Sequence, residues 1–382
     1  MNFDLPKDGC FVLRVWNPQH NGPAVCHLRD GQLVDVTSNE VPTVRDLLER
    51  SDAVQWLKVA PGAPLCSLEE LADNSREVPD TSRPYILSPS DFQPIKACGV
   101  TFAASMLERV IEEQARGDES KAAAIRETCT AIIGDSLGDV KPGSDLAMAL
   151  KEALIKQGAW SQYLEVGIGP DAEVFSKAQS LSAVGRGASV GLHPISTWNN
   201  PEPEVVLAVN SSGEIQGATL GNDVNLRDVE GRSALLLGKA KDNNASCALG
   251  PAIRLFDDSF SLDDVRKVQV TLHVEGEDGF AMDGHSSMAE ISRDPSDLVR
   301  QTYGAHHQYP DGFMLMMGTL FAPTQDRDTK GGGFTHKLGD VVTISNPQLG
   351  SLTNTVRLST ECSPWVFGPT HLMRNLAQRG LL

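Results

Sequence analysis

β-prone apolar runs open the chain. CFVLRVW and GQLVDVT are separated by the polar, proline- and glycine-bearing NPQHNGP, which predicts two short strands joined by a turn. TVRDLLERS then reads as a short helix capped by Thr43. ELADNSREVPDTSRPYILSPSD is rich in proline and serine, which places a linker near residues 75–92. Residues 1–92 are therefore expected to form a small β-rich N-terminal domain, with 93–382 as a second domain.

The pattern changes at Ile95. IKACGVTFA is strand-like, and a helical period follows from Ser105 to about Ile133, with Met106, Val110, Ile111, Ala124 and Ile125 as its apolar stripe. A second helix is predicted from Ser144 to Gln157, with Leu146, Leu150 and Leu154 four residues apart and Gly158 as its stop. Together these make a helical insertion over about 106–158. Beyond residue 170 short strands dominate: EVVLAVN, KVQVTLHV, GDVVTISN and NTVRLS, separated by glycine turns. The fold class this predicts is α+β, a folded or rolled mixed sheet.

Composition narrows the function. The 382 residues are 40% hydrophobic and 22% charged, ordinary for a globular protein. A net charge of −17 argues against nucleic-acid or anionic-membrane partners, which recruit basic patches. No apolar run reaches the roughly 20 residues of a membrane span, and MNFDLPKDGC carries no secretory apolar region. A cytoplasmic enzyme is the expectation. Seven cysteines without a CxxC pair predict reduced, buried thiols and speak against zinc held by thiolate.

The segment NNPEPEVVLAVN sets Glu202 and Glu204 at the head of an apolar strand. Residues two apart in a strand share a face, so the two carboxylates disfavour each other's ionised form unless a cation lies between them. Nineteen residues after Glu204, GNDVNLRD supplies Asp223. Three carboxylates with no nearby histidine or thiol form an all-oxygen set suited to Mg²⁺, with Mn²⁺ or Ca²⁺ as alternatives. Pro201 and Pro203 fit equally a solvated edge strand, and spacing alone leaves both readings open.

PEPEVVLAVN, TLGNDVNLRD, GKAKDNNASCALGP, FMLMMGTLFAP and KLGDVVTISNPQLGSLTNTV follow in this order. Together they resemble the fumarylacetoacetate hydrolase family over roughly residues 95–360. The resemblance implies a mixed β-roll catalytic domain that binds a divalent metal through Glu202, Glu204 and Asp223. It implies an active-site role for Lys241, which precedes Gly250-Pro251 by nine residues. It also implies substrate contact by Thr319 and a binding or bracing role for Arg227. Family members are usually homodimers, so a homodimer or higher homo-oligomer is expected.

One departure carries chemical weight. Where the family's hydrolases have Tyr-x-x-His-x-x-Glu, this chain has FAASMLE, with Phe102, Ser105 and Glu108. Residues three apart share a helix face, so Ser105 and Glu108 are expected to look into one cleft. Without the imidazole, water loses its natural general base near neutral pH. Glu108 is instead expected to take a proton from the carbon beside a metal-bound ketone, Lys241 to steady the enolate, and Ser105 to orient the substrate. That chemistry is similar to the family's dehydratases of 2-keto-3-deoxy sugar acids, here of xylonate or arabinonate form, giving 2-ketoglutarate semialdehyde. A C–C bond hydrolase of acylpyruvate or fumarylacetoacetate type is the alternative.

The remaining features are less committed. His285, in a glycine turn of MDGHSSMAE, is a candidate contact for a sugar hydroxyl. His306 and His307 read as solvated or structural, and TKGGGF (329–334) as a loop covering the site.

Overall fold

The computed structural model describes residues 5–6, 8–116, 140–156, 160–321, 323–328, 330 and 333–382, apart from the side chains of residues 103–105, 107 and 112. Its strands assemble mainly into two mixed sheets. The larger has eleven strands. Its order is Ala63–Ser67, Gln32–Asp35, Gly22–Arg29, Phe11–Asn17, Cys247–Leu255, Ile215–Asp223, Pro203–Val209, Phe313–Met316, Ile95–Gly99 and Glu173–Ala178, with Tyr85–Ile86 beside Phe11–Asn17. The smaller runs Ala281–Ser287, Gln269–Glu275, Val341–Asn346, Gly350–Leu358 and Ser189–Leu192. Pairing is antiparallel except for Phe313–Met316 with Ile95–Gly99 and Gly350–Leu358 with Ser189–Leu192.

Strand Pro203–Val209 is buried at every position because both of its faces are covered. On one face Val205, Leu207 and Val209 pack with Leu272, Val342 and Ile344 of the smaller sheet. On the other, Val206 and Ala208 meet Val44, Leu47, Leu48 and Leu57 from two N-terminal helices, Val44–Leu48 and Ala53–Val59. The first of these helices starts as its sequence predicts, with Thr43 Oγ1 accepting from the Asp46 N–H.

The large sheet crosses the expected boundary at residue 92. The N-terminal strands do not form a sheet of their own. Phe11 pairs with Arg254 and Val12 with Ile253, so the large sheet runs without interruption from the N-terminal strands into the rest of the chain. The proline-rich 75–92 stretch also contributes, through Tyr85–Ile86 pairing with Trp16 and Val15.

The helical insertion is partly described. Its first helix spans Ala103–Ala115, shorter than the predicted run to Ile133, whose continuation through 117–139 lies outside the described residues. The second spans Asp145–Lys156. Of its predicted stripe Leu154 is buried, but Leu146 is exposed and Ala147 takes the buried position instead. Gly158, the expected stop, lies outside the described residues. Val110, Ile111, Ala147, Leu154 and Leu164 form a separate cluster against Trp198. Every cysteine described (10, 26, 66, 98, 247 and 362) is a buried free thiol; Cys129 falls outside the described residues.

A shared sheet and a shared core predict one cooperative unfolding event. Leu47→Ala, deep under the large sheet, should cost about 2–5 kcal/mol and shift the whole denaturation curve, read by both tryptophan emission and far-UV circular dichroism. A separate early transition confined to the N-terminal strands would contradict the continuity.

Candidate active site

Strand alternation brings the three carboxylates together. In the pairing of Pro203–Val209 with Ile215–Asp223, Glu204 lies opposite Gly221, so Asp223, two residues on, points to the same face as Glu202 and Glu204. The Asp223 N–H donates to the Glu202 carbonyl (3.0 Å) and the Glu202 N–H to Asn222 Oδ1 (3.1 Å), which fixes the strand ends. One oxygen from each carboxylate falls within 4.8 Å of the others. All three residues are only 1% exposed.

Cations converge on them. Lys241 Nζ donates to Glu202 Oε2 (2.5 Å) and Asp223 Oδ2 (3.0 Å). Lys177 Nζ lies 2.7 Å from Asp223 Oδ1 and donates to the carbonyls of Val224 (3.0 Å) and Lys241 (2.5 Å). Arg109, from the insertion's first helix, ion-pairs with Glu202 and with Glu230 (3.1 Å). Glu204 accepts from the Gly318 N–H (2.7 Å) and lies 3.5 Å from Thr319 Oγ1. Gly318 adopts φ +105°, and a Cβ there would collide with Thr101 Oγ1, so glycine is required for this donor.

The electrostatics split the glutamate pair. Burial alone would raise the Glu202 carboxyl, but Arg109 and Lys241 together hold it down at about 2. Glu204 is pushed well above the ordinary carboxylate range by burial and by the charges of Asp223 and Glu202. Burial opposes the Lys241 ammonium, yet Asp223 and Glu202 raise it above the usual lysine range.

A fourth carboxylate faces the same cavity. Glu173 begins the strand Glu173–Ala178, in which alternation aligns Glu173, Phe175 and Lys177 on the site's side. It pairs with Gly99, and a Cβ at Gly99 would sit 1.8 Å from Glu173 Oε2, so the missing side chain is the room the carboxylate uses. Burial, reinforced by Glu230, raises Glu173 to about 7, even though Arg109 and Lys241 act to lower it. Neither Glu173, Arg109 nor Lys177 was singled out in the sequence. The usable signal was the alternation of EVFSK, with an acid, a ring and a base on one face.

The other expected residues are placed as follows. Lys241 and Thr319 line the cavity. Glu108 is buried, yet the cavity is lined by its neighbour Arg109 rather than by Glu108. Ser105 belongs to the helix Ala103–Ala115, and its side chain lies outside the described residues. Arg227 does not line the cavity. It is buried behind the carboxylates, donating to Asn200 Oδ1 (2.9 Å) and the Pro323 carbonyl (3.1 Å) with its guanidinium over Trp198, which makes it a brace. His285 is not in a turn. It is exposed in the edge strand Ala281–Ser287 and does not line the cavity. No histidine is present among the described residues lining this cavity.

The donor set fits a divalent cation. It is all oxygen and buried, with one oxygen of each carboxylate within 4.8 Å of the others. Among the described residues, five carboxylates (Glu173, Glu202, Glu204, Asp223, Glu230) stand with three cations (Arg109, Lys177, Lys241), which with all groups ionised is an excess of two negative charges.

Residues 170–357 match the family model of the fumarylacetoacetate (FAA) hydrolase C-terminal domain. The chain is 30% identical over 194 residues to a Haloferax volcanii protein named probable 2-keto-3-deoxyxylonate dehydratase, covering 51% of this chain and 63% of that protein. It is 29% identical over 188 residues to 2-dehydro-3-deoxy-D-arabinonate dehydratase of Saccharolobus solfataricus, covering 48% and 58%. The match thus spans about three fifths of each relative's length. Among solved structures, 2-keto-3-deoxyarabinonate dehydratase superposes with a TM-score of 0.63 at 19% identity, over 91% of this chain and 99% of that one. A 2-keto-3-deoxy-D-arabinonate dehydratase complexed with magnesium and 2,5-dioxopentanoate gives 0.62 at 18% over the same shares. At these identities the superpositions establish the shared fold. No described helix is long and apolar enough to cross a membrane.

The raised Glu204 carboxyl gives a pH prediction. A group that keeps its proton in the folded protein adds stability at low pH and withdraws it as pH rises from the ordinary carboxylate range through the raised value. In chelator, melting temperature should therefore fall with rising pH. Mg²⁺ should offset the fall, and Glu204→Gln should remove this component and the Mg²⁺ response together. Scanning calorimetry with and without Mg²⁺ reads this; a pH trend and Mg²⁺ response equal in the variant and the parent would refute it.

Proposed function

Residues 170–357 belong to the fumarylacetoacetate hydrolase family, and from that premise we propose that the protein is a Mg²⁺-dependent dehydratase of a 2-keto-3-deoxy-pentonate, releasing water to give 2-ketoglutarate semialdehyde. Glu202, Glu204 and Asp223 would hold the ion. When bound, it supplies Lewis-acid polarisation of a 2-keto acid. The observation that carries the reading is Glu173: a carboxyl poised at about 7 faces the carboxylate cluster in a cavity lined, among the described residues, by no imidazole.

The residues divide the work. Glu173 takes the proton from C3, the role first expected of Glu108, with an affinity suited to exchange near neutral pH. Lys241, held cationic by Asp223 and Glu202, stabilises negative charge developing on the substrate's keto oxygen. Arg109 offers a guanidinium to the substrate carboxylate from the insertion helix. Thr319, beside Glu204, orients the substrate at the sheet end. The C4 hydroxyl leaves as water with a proton returned to it, and the resulting C3=C4 enone tautomerises, by moving a proton from C5 to C3, to the aldehyde. Arg227 keeps the strand ends in place. A homodimer in the cytoplasm is part of the same proposal, supported by the family likeness.

Two curated relatives named as dehydratases of this substrate class support the choice over C–C bond hydrolysis. The test is mass spectrometry of the purified protein with Mg²⁺, offered 2-keto-3-deoxyxylonate, 2-keto-3-deoxyarabinonate and acetylpyruvate. Loss of one water from a sugar acid, with acetylpyruvate intact, is expected; cleavage of acetylpyruvate alone would overturn the reading. Within the active enzyme, kcat should rise with pH through about 7 as Glu173 loses its proton. Glu173→Gln should lower kcat by at least a hundredfold and abolish that rise while leaving Mg²⁺ binding by calorimetry within a few-fold. Retained turnover in Glu173→Gln would assign the proton transfer elsewhere.

A further inference from the structure

A cavity far larger than the one at the carboxylates lies elsewhere in the described structure. It is a groove of about 390 Å³ where the N-terminal strand Phe11–Asn17, the 75–88 strap, the 181–188 loop and residues 363–367 meet. Its volume lies in the range of small-ligand sites, which favour such junctions. Its walls are aromatic. Trp16 stacks on Tyr85 with centroids 5.8 Å apart and 21° between the planes, and Phe367 meets Trp16 edge-on at 5.9 Å. Trp365 stands at the rim, 41% exposed.

The groove is also cationic, within a chain of net charge −17. Arg14 and Arg186, 6% and 3% exposed, line it, and the exposed Arg76 stands at its edge. Glu77, the one carboxylate among the described residues lining it, is held by Arg357 through two contacts (2.9 and 3.0 Å) and by Ser189. Arg14 is the group with an unfilled donor. It donates a long hydrogen bond to the Ser88 carbonyl (3.4 Å), and its Nε has no partner among the described residues. Burial draws the guanidinium down to about 10, although Asp91 and Tyr85 act in the opposite direction. A buried guanidinium with an unfilled N–H is costly, and an anion delivered from outside offsets that cost.

The groove is preformed. A Cβ at Gly185 would lie 2.6 Å from the Leu87 carbonyl carbon, and one at Gly187 (φ +89°) 1.9 Å from the Ser75 oxygen, so loop and strap are in direct backbone contact. Trp16 Nε1 donates to the Thr81 carbonyl (3.2 Å), tying the strap's far end to the same strand.

We propose that this groove is a second ligand site, separate from the carboxylate cluster, that binds a small planar carboxylate with an aromatic or conjugated body. Arg14 receives the carboxylate, and Trp16, Tyr85, Trp365 and Phe367 receive the flat apolar part. Apolar walls favour such a monoanion over a heavily hydrated phosphate. The inference stands independently of the proposed reaction.

The test is isothermal calorimetry of the full chain with 2-naphthoate and with its neutral isostere 2-naphthamide. One saturable site is expected, with the carboxylate binding at least tenfold tighter than the amide. Arg14→Gln should collapse that preference, and Trp365→Ala, at the groove's exposed rim, should weaken both probes about tenfold. Leu235→Asp, at a distant exposed apolar residue (95% exposed), should change neither. No binding, equal affinity for the two probes, or binding insensitive to Trp365→Ala would overturn the proposal, even if Arg14→Gln failed to fold.

Discussion

Three carboxylates forced onto one face at one end of a sheet repel one another, and much of the surrounding structure answers that repulsion. Glu202, Glu204 and Asp223 cannot separate, because strand pairing fixes Glu204 opposite Gly221 and Asp223 two residues beyond. They cannot take up bulk water, because each is 1% exposed. The protein therefore brings charge to them from three separate segments: Lys241 from a short helix, Lys177 from the strand Glu173–Ala178, and Arg109 from the helical insertion. The balance is incomplete. One carboxyl, Glu204, is driven toward its protonated form, as expected where a divalent cation completes the set.

The same constraint gives the insertion and the N-terminal strands physical roles. The insertion supplies Arg109, and its helices pack through Val110, Ile111 and Leu154 against Trp198, next to the strand ends that carry the carboxylates. The N-terminal residues supply the cover. Leu47, Leu48 and Leu57 close the sheet face that continues from the carboxylates through Val206 and Ala208. Burial of that face keeps the local dielectric low, and low dielectric produces both the raised Glu173 and the strong ion pairs around it.

Much of this was legible in the sequence. The ExE pair, the Gly-Asn turn before Asp223 and the ordered glycine motifs led to the fold and to the carboxylates that the structure brings together. Local signals also held at Thr43, whose side chain caps its helix. What escaped was long-range. No local pattern says that Val12 pairs with Ile253, so a proline-rich stretch read as a linker between domains when it borders one continuous sheet. Arg109 was passed over for Glu108 because one residue on a helix turns the side chain by about 100°, and neighbouring polar positions cannot be told apart without the partner surface. His285 suggested chemistry by residue type alone, and strand register places it at an exposed edge.

The most direct measurement is a Mn²⁺-soaked crystal with anomalous diffraction at the manganese edge. The account predicts one strong peak bounded by oxygens of Glu202, Glu204 and Asp223, and its loss in Asp223→Asn. A peak elsewhere, or none at saturating Mn²⁺ with the three carboxylates still paired to Arg109, Lys177 and Lys241, would contradict it and make the cluster an internal salt-bridge network.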